Sequence, residues 1–415
     1  MRFGRLSGNH HIREGVGTFV PLMAKKLALA VGLVALVAAA PASGKGDLWS
    51  IRYGAHGNVL VPYDPVRLMP SGPALEAGPF GHAWSISPDR TRLVSAAAWP
   101  VTKGQPAALR FIDLERGRIE GTLALEGEFR RVVATAWVRG RVLAAVGGGE
   151  STTVYAVDPD RRRLVGKVEL RGNVVAGEYS HNGLVLLLER PGEIAPATLA
   201  LVNQLPRART VELARISVGR IVSGTGDERQ MTVRLPGLAL APSRMRAYVF
   251  GAEEPAAAVD LRTMSVQYAP ARFLTALKKN VAGWLRTAES LPDCRVVVAA
   301  QSYGGAGKAL LRVVDPADWS SRELASRESW FRVGGGMIFT RGAGGVGLRM
   351  WKRDGQSVDL FRTGSVAGVF VVGPRALVTF HGSGGQAAVV ELDTQRVVRH
   401  SLPAHPLVGY GQRIG

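Results

Sequence analysis

One cysteine in 415 residues excludes internal disulfides, multi-cysteine zinc sites and iron–sulfur clusters held by cysteine sets. That residue, Cys294, precedes the run RVVVAA and reads as a small apolar filler of a buried strand rather than a nucleophile. No Gly-x-Ser-x-Gly elbow is present to support a serine hydrolase. The mature-chain histidines His56, His82, His181, His381, His400 and His405 never pair at metal-ligand spacing, so no metal or other cofactor is expected. Lysine is scarce as well: nine lysines stand beside 43 arginines, and the formal charge of +19 is almost wholly guanidinium. Glycine and proline are plentiful, 51 and 23 residues, but follow no triplet period, which excludes a collagen-like chain. An apolar content of 46% excludes disorder, because such a chain buries enough surface to offset its ordering entropy.

No apolar run is long enough for a comfortable membrane crossing. Leu27–Ala40 is 14 residues, whereas a spanning helix needs about 20. With Lys25 and Lys26 before it and Ala40-Pro41-Ala42 after it, the segment 23–42 reads as a signal peptide cleaved after Ala42. Residues 1–22 carry no hydrophobic periodicity and read as an over-extended start. The protein from residue 43 onward is therefore expected to be a monomer, secreted or associated with the cell envelope, with no spanning helix after cleavage.

What the sequence does contain is a repeat. Strand, polar turn, strand recurs eight times, in copies such as ALRFIDLERGRIEGTL, TVYAVDPDRRRLVGKV and LLRVVDPADWSSREL. The aligned turn residues are Asp64, Asp113, Asp158, Asn203, Asp260, Asp315, Lys352 and Glu391, spaced 37 to 57 residues apart. A propeller blade of four strands takes about 40–45 residues. Short acidic or amide side chains accept hydrogen bonds from backbone N–H groups two residues on, so these positions are assigned to structure rather than chemistry. The residues flanking them alternate β-branched or aromatic with polar, as in half-buried hairpins. Two further strands precede most hairpins, and no long amphipathic helix alternates with them, which argues against a parallel α/β sheet. The fold expected is all-β: a β-propeller of four-stranded antiparallel blades, seven or eight in number, in one domain over 43–415. The copy around Lys352 is the weakest and is the candidate for an irregular blade. Only WSIRY precedes the first hairpin, while HPLVGYGQ is left over at the end, so a strand within 405–412 is expected to join the first sheet and close the ring.

The hairpins AVDPDRRRLVGKV and FIDLERGRIEGTL, with HAWSISPDRTRLVSA before the second, resemble YVTN-type and WD-repeat-like propellers. That grouping also holds the β-chain-like propellers of quinoprotein amine dehydrogenases. The likeness spans residues 47–412 but lacks a YVTN tetrapeptide or a Trp-Asp blade ending. The matching positions are turns, so no functional residue carries over.

In such a fold the loops between second and third strands and between successive blades share one face, where ligands meet the channel mouth. The loops GGGES (147–151), SYGGAGK (302–308), RGAGGVG (341–347) and HGSGGQ (381–386) fall there, and their glycines permit close approach. His82, Tyr303 and His381 are the candidate ligand-face residues. Two of these loops imitate phosphate motifs without the helix that such motifs must open. The leading reading is a binding module for an unknown protein or envelope ligand. The alternatives are a lactonase-like or quinoprotein-like enzyme, and an arginine-mediated binder of an anionic envelope polymer. Nucleic acid is not expected, because no aromatic residues interleave the arginine clusters. Inserts are expected at about 214–234, ending in the loop SGTGDERQ, and at 271–289. In the latter, Phe273, Leu277, Val281 and Trp284 recur at helical spacing, although Gly283 divides this helix from a strand that follows.

Overall fold

A computed structural model describes residues 48–399, except 55–56, 65–66, 68, 79–82, 98–105, 127–130, 181–182, 224–229, 252–254, 271–282, 303–308, 327, 329, 342–345 and 381–386. The start, the signal segment and the closing strand expected within 405–412 lie outside the described residues.

Among the described residues every regular element is a strand, and the sheets follow one another along the chain, antiparallel within each blade. Blade 3 is typical, with strands a to d at Arg131–Val138, Arg141–Gly148, Ser151–Asp158 and Arg163–Arg171. The first strands of blades 2 and 4 to 8 are Trp84–Ile86, Asn173–Ser180, Gly237–Leu240, Gly283–Ser290, Phe331–Gly334 and Val366–Val372. The sheet that precedes them has three described strands, Leu48–Gly54, Gly57–Tyr63 and Leu75–Gly78. Asp64 follows the middle one, which makes them b, c and d. The fold is thus a β-propeller with eight blades. The Lys352 copy, expected to be irregular, forms an ordinary four-stranded sheet with strand c at Leu348–Trp351 and strand d at Ser357–Phe361.

The core is a series of apolar slabs, one between each successive pair of sheets. In Gly183–Glu189, strand b of blade 4, Leu184, Leu186 and Leu188 enter the slab shared with blade 3, while Val185 and Leu187 enter the slab shared with blade 5. Successive side chains of a strand point to opposite faces, so a strand sandwiched on both sides is apolar at every position. The outer strands are the most exposed; Arg163–Arg171 alternates between half-buried and exposed over most of its length. Strand c is more deeply buried, as in Ser151–Asp158, although Leu348–Trp351 of blade 7 keeps the alternation read from the sequence.

The turns after strand c bind their own backbone. Oδ1 accepts from the amide of Arg67 in the case of Asp64 (2.6 Å), of Arg116 for Asp113 (2.8 Å) and of Ala317 for Asp315 (2.9 Å). Asp158 accepts from Asp160 and Arg161, and Asp260 from Arg262 and Thr263. Glu391 accepts from the Thr394 hydroxyl. Asn203 departs from the pattern: strand c of blade 4, Ile194–Gln204, runs one residue past it, and the reversal falls at Leu205-Pro206. Cys294 departs too. It is exposed, at a φ of 71°, in the turn before strand b of blade 6 begins at Val296; the strand starts two residues later than the apolar run suggested.

Arginines tie neighbouring blades together through backbone carbonyls. Arg110 Nη1 donates to Ala77 O (2.5 Å), Arg209 Nη2 to Leu261 O (2.7 Å), Arg244 Nη1 to Tyr179 O (2.9 Å) and Arg322 Nη1 to Asp354 O (3.3 Å).

Leu186 is 0% exposed, so Leu186→Ala is expected to cost about 2–5 kcal/mol in urea unfolding. Val398→Ser, on an outer strand, should cost less than about 0.5 kcal/mol. The amides of Thr263 and Arg262 hold the Asp260 carboxyl below its ordinary pKa. A depressed folded pKa stabilises above the unfolded value of about 3.9, and that contribution is lost as pH falls through the folded value. Asp260→Asn keeps the acceptor oxygen without the titration. Its melting temperature should lie below the parent's at pH 7, and the gap should narrow on acidification.

Candidate functional site

In an up-and-down sheet, the start of strand a and the end of strand b lie at the same edge. That edge of blades 3 and 4 gathers the polar groups of interest. Arg131 opens strand a of blade 3 opposite Gly147. Asn173 opens strand a of blade 4 opposite Glu189, the last residue of strand b. Cross-strand partners share a sheet face, so the amide and the carboxyl are neighbours.

The glycine-rich loop 147–151 is fastened to the start of blade 4. Asn173 Nδ2 donates to Gly149 O (2.7 Å), Gly172 N to Glu150 O (2.8 Å) and Thr152 Oγ1 to Gly172 O (2.8 Å). Gly172 has a φ of +105°, and a Cβ there would stand 2.5 Å from Glu189 O. Glycine is required at this crossing by both conformation and space.

A hairpin rises beside this edge. Strand d of blade 4, Arg207–Ser223, is 17 residues long and outruns its sheet. Gln230–Leu235 folds back along it from Ser223↔Gln230 to Gly219↔Arg234, then pairs in parallel with Gly283–Leu285 of blade 6. The two inserts at 214–234 and 271–289 therefore meet, and they meet as strands. The helix expected around Trp284 is not formed there, because Trp284 lies within strand Gly283–Ser290; its earlier part, and the centre of SGTGDERQ, lie outside the described residues.

Arg220 on this hairpin acts on both Glu189 and Arg131. Burial pushes the Glu189 carboxyl above its ordinary pKa, partly opposed by Arg220. Arg131 is lowered by the protein packed around its guanidinium and then by the like charge of Arg220, although water still reaches the side chain. Glu189 Oε2 and Asn173 Oδ1 are buried and receive no hydrogen bond among the described residues. Two cations and two under-satisfied acceptors thus share one rim.

A second arginine group lies at the matching edge of blade 7. The guanidinium carbons of Arg332 and Arg341 stand 5.3 and 5.1 Å from the ring centre of buried Trp330. Arg341 Nη2 donates to Val366 O (3.4 Å), and Glu328 Oε1 accepts from the Trp330 amide (2.6 Å). These contacts turn the arginines inward onto the protein, and the group reads as a structural clasp.

His82, Tyr303 and His381, the residues singled out from sequence, lie outside the described residues, as do the centres of the loops 302–308, 341–347 and 381–386. The acidic turn residues sit at the opposite edge of the blades. Arg131, Asn173, Glu189 and Arg220 belong to no sequence motif. The signals that mark them are the described glycine loop and the insert next to it. Among the described residues, no group of three or more His, Cys, Asp or Glu side chains gathers closely enough to hold a metal ion.

No family model matches the chain, and no curated protein matches it significantly. Among solved structures it is similar to the dihydro-heme d1 dehydrogenase NirN in complex with DHE, with a TM-score of 0.57 and 11% identity over 91% of this chain and 77% of that one. It is likewise similar to apo AztD from Citrobacter koseri, with a TM-score of 0.53 and 14% identity over 88% of this chain and 98% of that one. At such identities the likeness shows the β-propeller fold alone.

A carboxyl whose folded pKa is raised above its unfolded value of about 4.3 weakens the fold wherever it is ionised. Glu189→Gln is therefore expected to melt above the parent at pH 7. The two curves should converge as pH falls below 4, where both carry a neutral group. A variant that melts lower at pH 7 would show Glu189 to be a net stabilising ion-pair partner of Arg220.

Proposed function

We propose that this chain is an exported β-propeller that works as a binding module, and that the face formed by the starts of strands a and the ends of strands b recognises acidic groups. The support for export is the segment 23–42, together with the finding that no helix among the described residues is long and apolar enough to cross a membrane. The support for binding is the rim of blades 3 and 4.

One observation carries the reading. Arg131 and Arg220 come from different blades and stand at the same edge: Arg131 opens strand a of blade 3 opposite Gly147, and Arg220 lies where the hairpin leaves blade 4. Two guanidinium groups at one edge attract an anion more strongly than either alone. Guanidinium groups suit the task, because each presents a planar fork of donors to a carboxylate or phosphate.

The test uses the purified protein and a fluorescent hexaglutamate. Binding is expected to weaken steeply as salt rises from 20 to 300 mM, the behaviour of partly exposed charge pairs. Removal of two charge-assisted contacts, in Arg131→Ala/Arg220→Ala, should lower affinity at least tenfold, since each contributes about 1.5–3 kcal/mol. Equal affinity of parent and double variant at low salt would refute the assignment to this rim.

A further inference from the structure

The outer part of the hairpin beside the rim carries an apolar pair that the blades do not cover, whereas Val233, nearer the rim on the same face, is buried. Val222 and Met231 are cross-strand partners, 57% and 42% exposed. Other large apolar side chains are exposed as well, Ile119, Val346 and Val398 among them, but Val222 and Met231 are directly paired across two strands. Along one strand, residues two apart share a face and stand about 7 Å apart. Arg220 therefore lies on the same face as Val222, and its partner Val233 lies on the same face as Met231. The exposed part of the face thus reads, from the rim outward, as the Arg220 guanidinium and then an apolar pair.

From this we infer that the hairpin docks an extended segment of a partner protein that presents an acidic side chain followed two residues later by an apolar one. The inference rests on the acid-binding reading of the rim and deepens it by naming the partner class. Charge complementarity sets one half of the pattern, because the exposed Arg220 guanidinium donates to a carboxylate. The spacing of the strand sets the other half, because a segment laid along Arg220–Val222 repeats the same interval of two residues. Each side chain of the apolar pair is small and unbranched or β-branched, without an aromatic ring. An anionic membrane is the poorer occupant, since interfacial insertion draws on Trp, Phe and Leu, and the exposed pair is a valine and a methionine.

The experiment compares two labelled peptides of equal length and charge by fluorescence polarisation against the full chain: a threefold repeat of Asp-Ser-Leu-Ser, and a threefold repeat of Asp-Ser-Ser-Ser. The leucine peptide is expected to bind at least tenfold more tightly. Val222→Ser/Met231→Ser should remove that advantage while leaving the serine peptide's affinity and the melting temperature unchanged, because both side chains are exposed. Equal binding of the two peptides by the parent would overturn the docking inference and leave the acid-binding reading intact. Binding of neither peptide, at low salt, would overturn both. Vesicles of phosphatidylglycerol and phosphatidylcholine serve as the third probe. Sedimentation with them that the Val222→Ser/Met231→Ser variant loses, with no preference between peptides, would replace the peptide by a membrane surface.

Discussion

The architecture depends on burial of the middle strands from both sides. Strand b of blade 4 sends three leucines into one slab and a valine and a leucine into the next. A single sheet with that composition would leave one apolar face in water, at about 25 cal/mol for each Å² exposed. Every blade therefore needs a neighbour on each side, and radial stacking is the arrangement that supplies one. Stability is spread over many similar interfaces, as in other repeat proteins, so the loss of one leucine is felt in two blades rather than throughout the molecule.

The same geometry accounts for the preference for arginine over lysine. Where two blades meet at their outer margins, the carbonyls of one face the side chains of the other. A guanidinium spans the gap and places two N–H groups on successive carbonyls, as Arg209 does with Leu261 and Arg262. An ammonium is a point charge, more strongly hydrated, and lacks that planar fork. The arginine content is thus partly a record of how many seams the ring contains, not only of solubility. The seams also leave the connections at either edge free to lengthen without disturbing the slabs, and the hairpin of residues 217–235 uses that freedom.

Much of the fold was legible because the repeat states it eight times over. The turn aspartates mark the c–d corner of five blades, and their hydrogen bonds to amides two or three residues on follow from side-chain length alone. Asn203 failed as a marker because the strand there outruns the repeat by a residue, and Cys294 because an apolar run does not show where its first strand residue falls. The insert at 271–289 was legible in its second half. Phe273, Leu277 and Val281 lie outside the described residues, while Trp284 lies in the strand expected after Gly283 and is held there by pairing with blade 4's hairpin, a contact between segments far apart in sequence that local periodicity does not show. The rim was barely legible at all. Arg131, Asn173, Glu189 and Arg220 belong to four strands, and their proximity exists only once the blades are stacked.

That proximity separates the rim from the seams. At a seam, each guanidinium meets a carbonyl, which lowers its energy wherever the blade is placed. At the rim, a cation stands near a cation, beside a carboxyl whose ionised form burial disfavours. Nothing in the stacking of the blades requires this. Blade 7 shows the alternative available to the same fold at the same edge, where Arg332 and Arg341 lie over an indole and one of them reaches a carbonyl of blade 8. Blade 7 thus folds its edge arginines back onto the protein, whereas Arg220 stands exposed beside the paired Val222 and Met231, and the proposed acidic ligand is assigned to that difference.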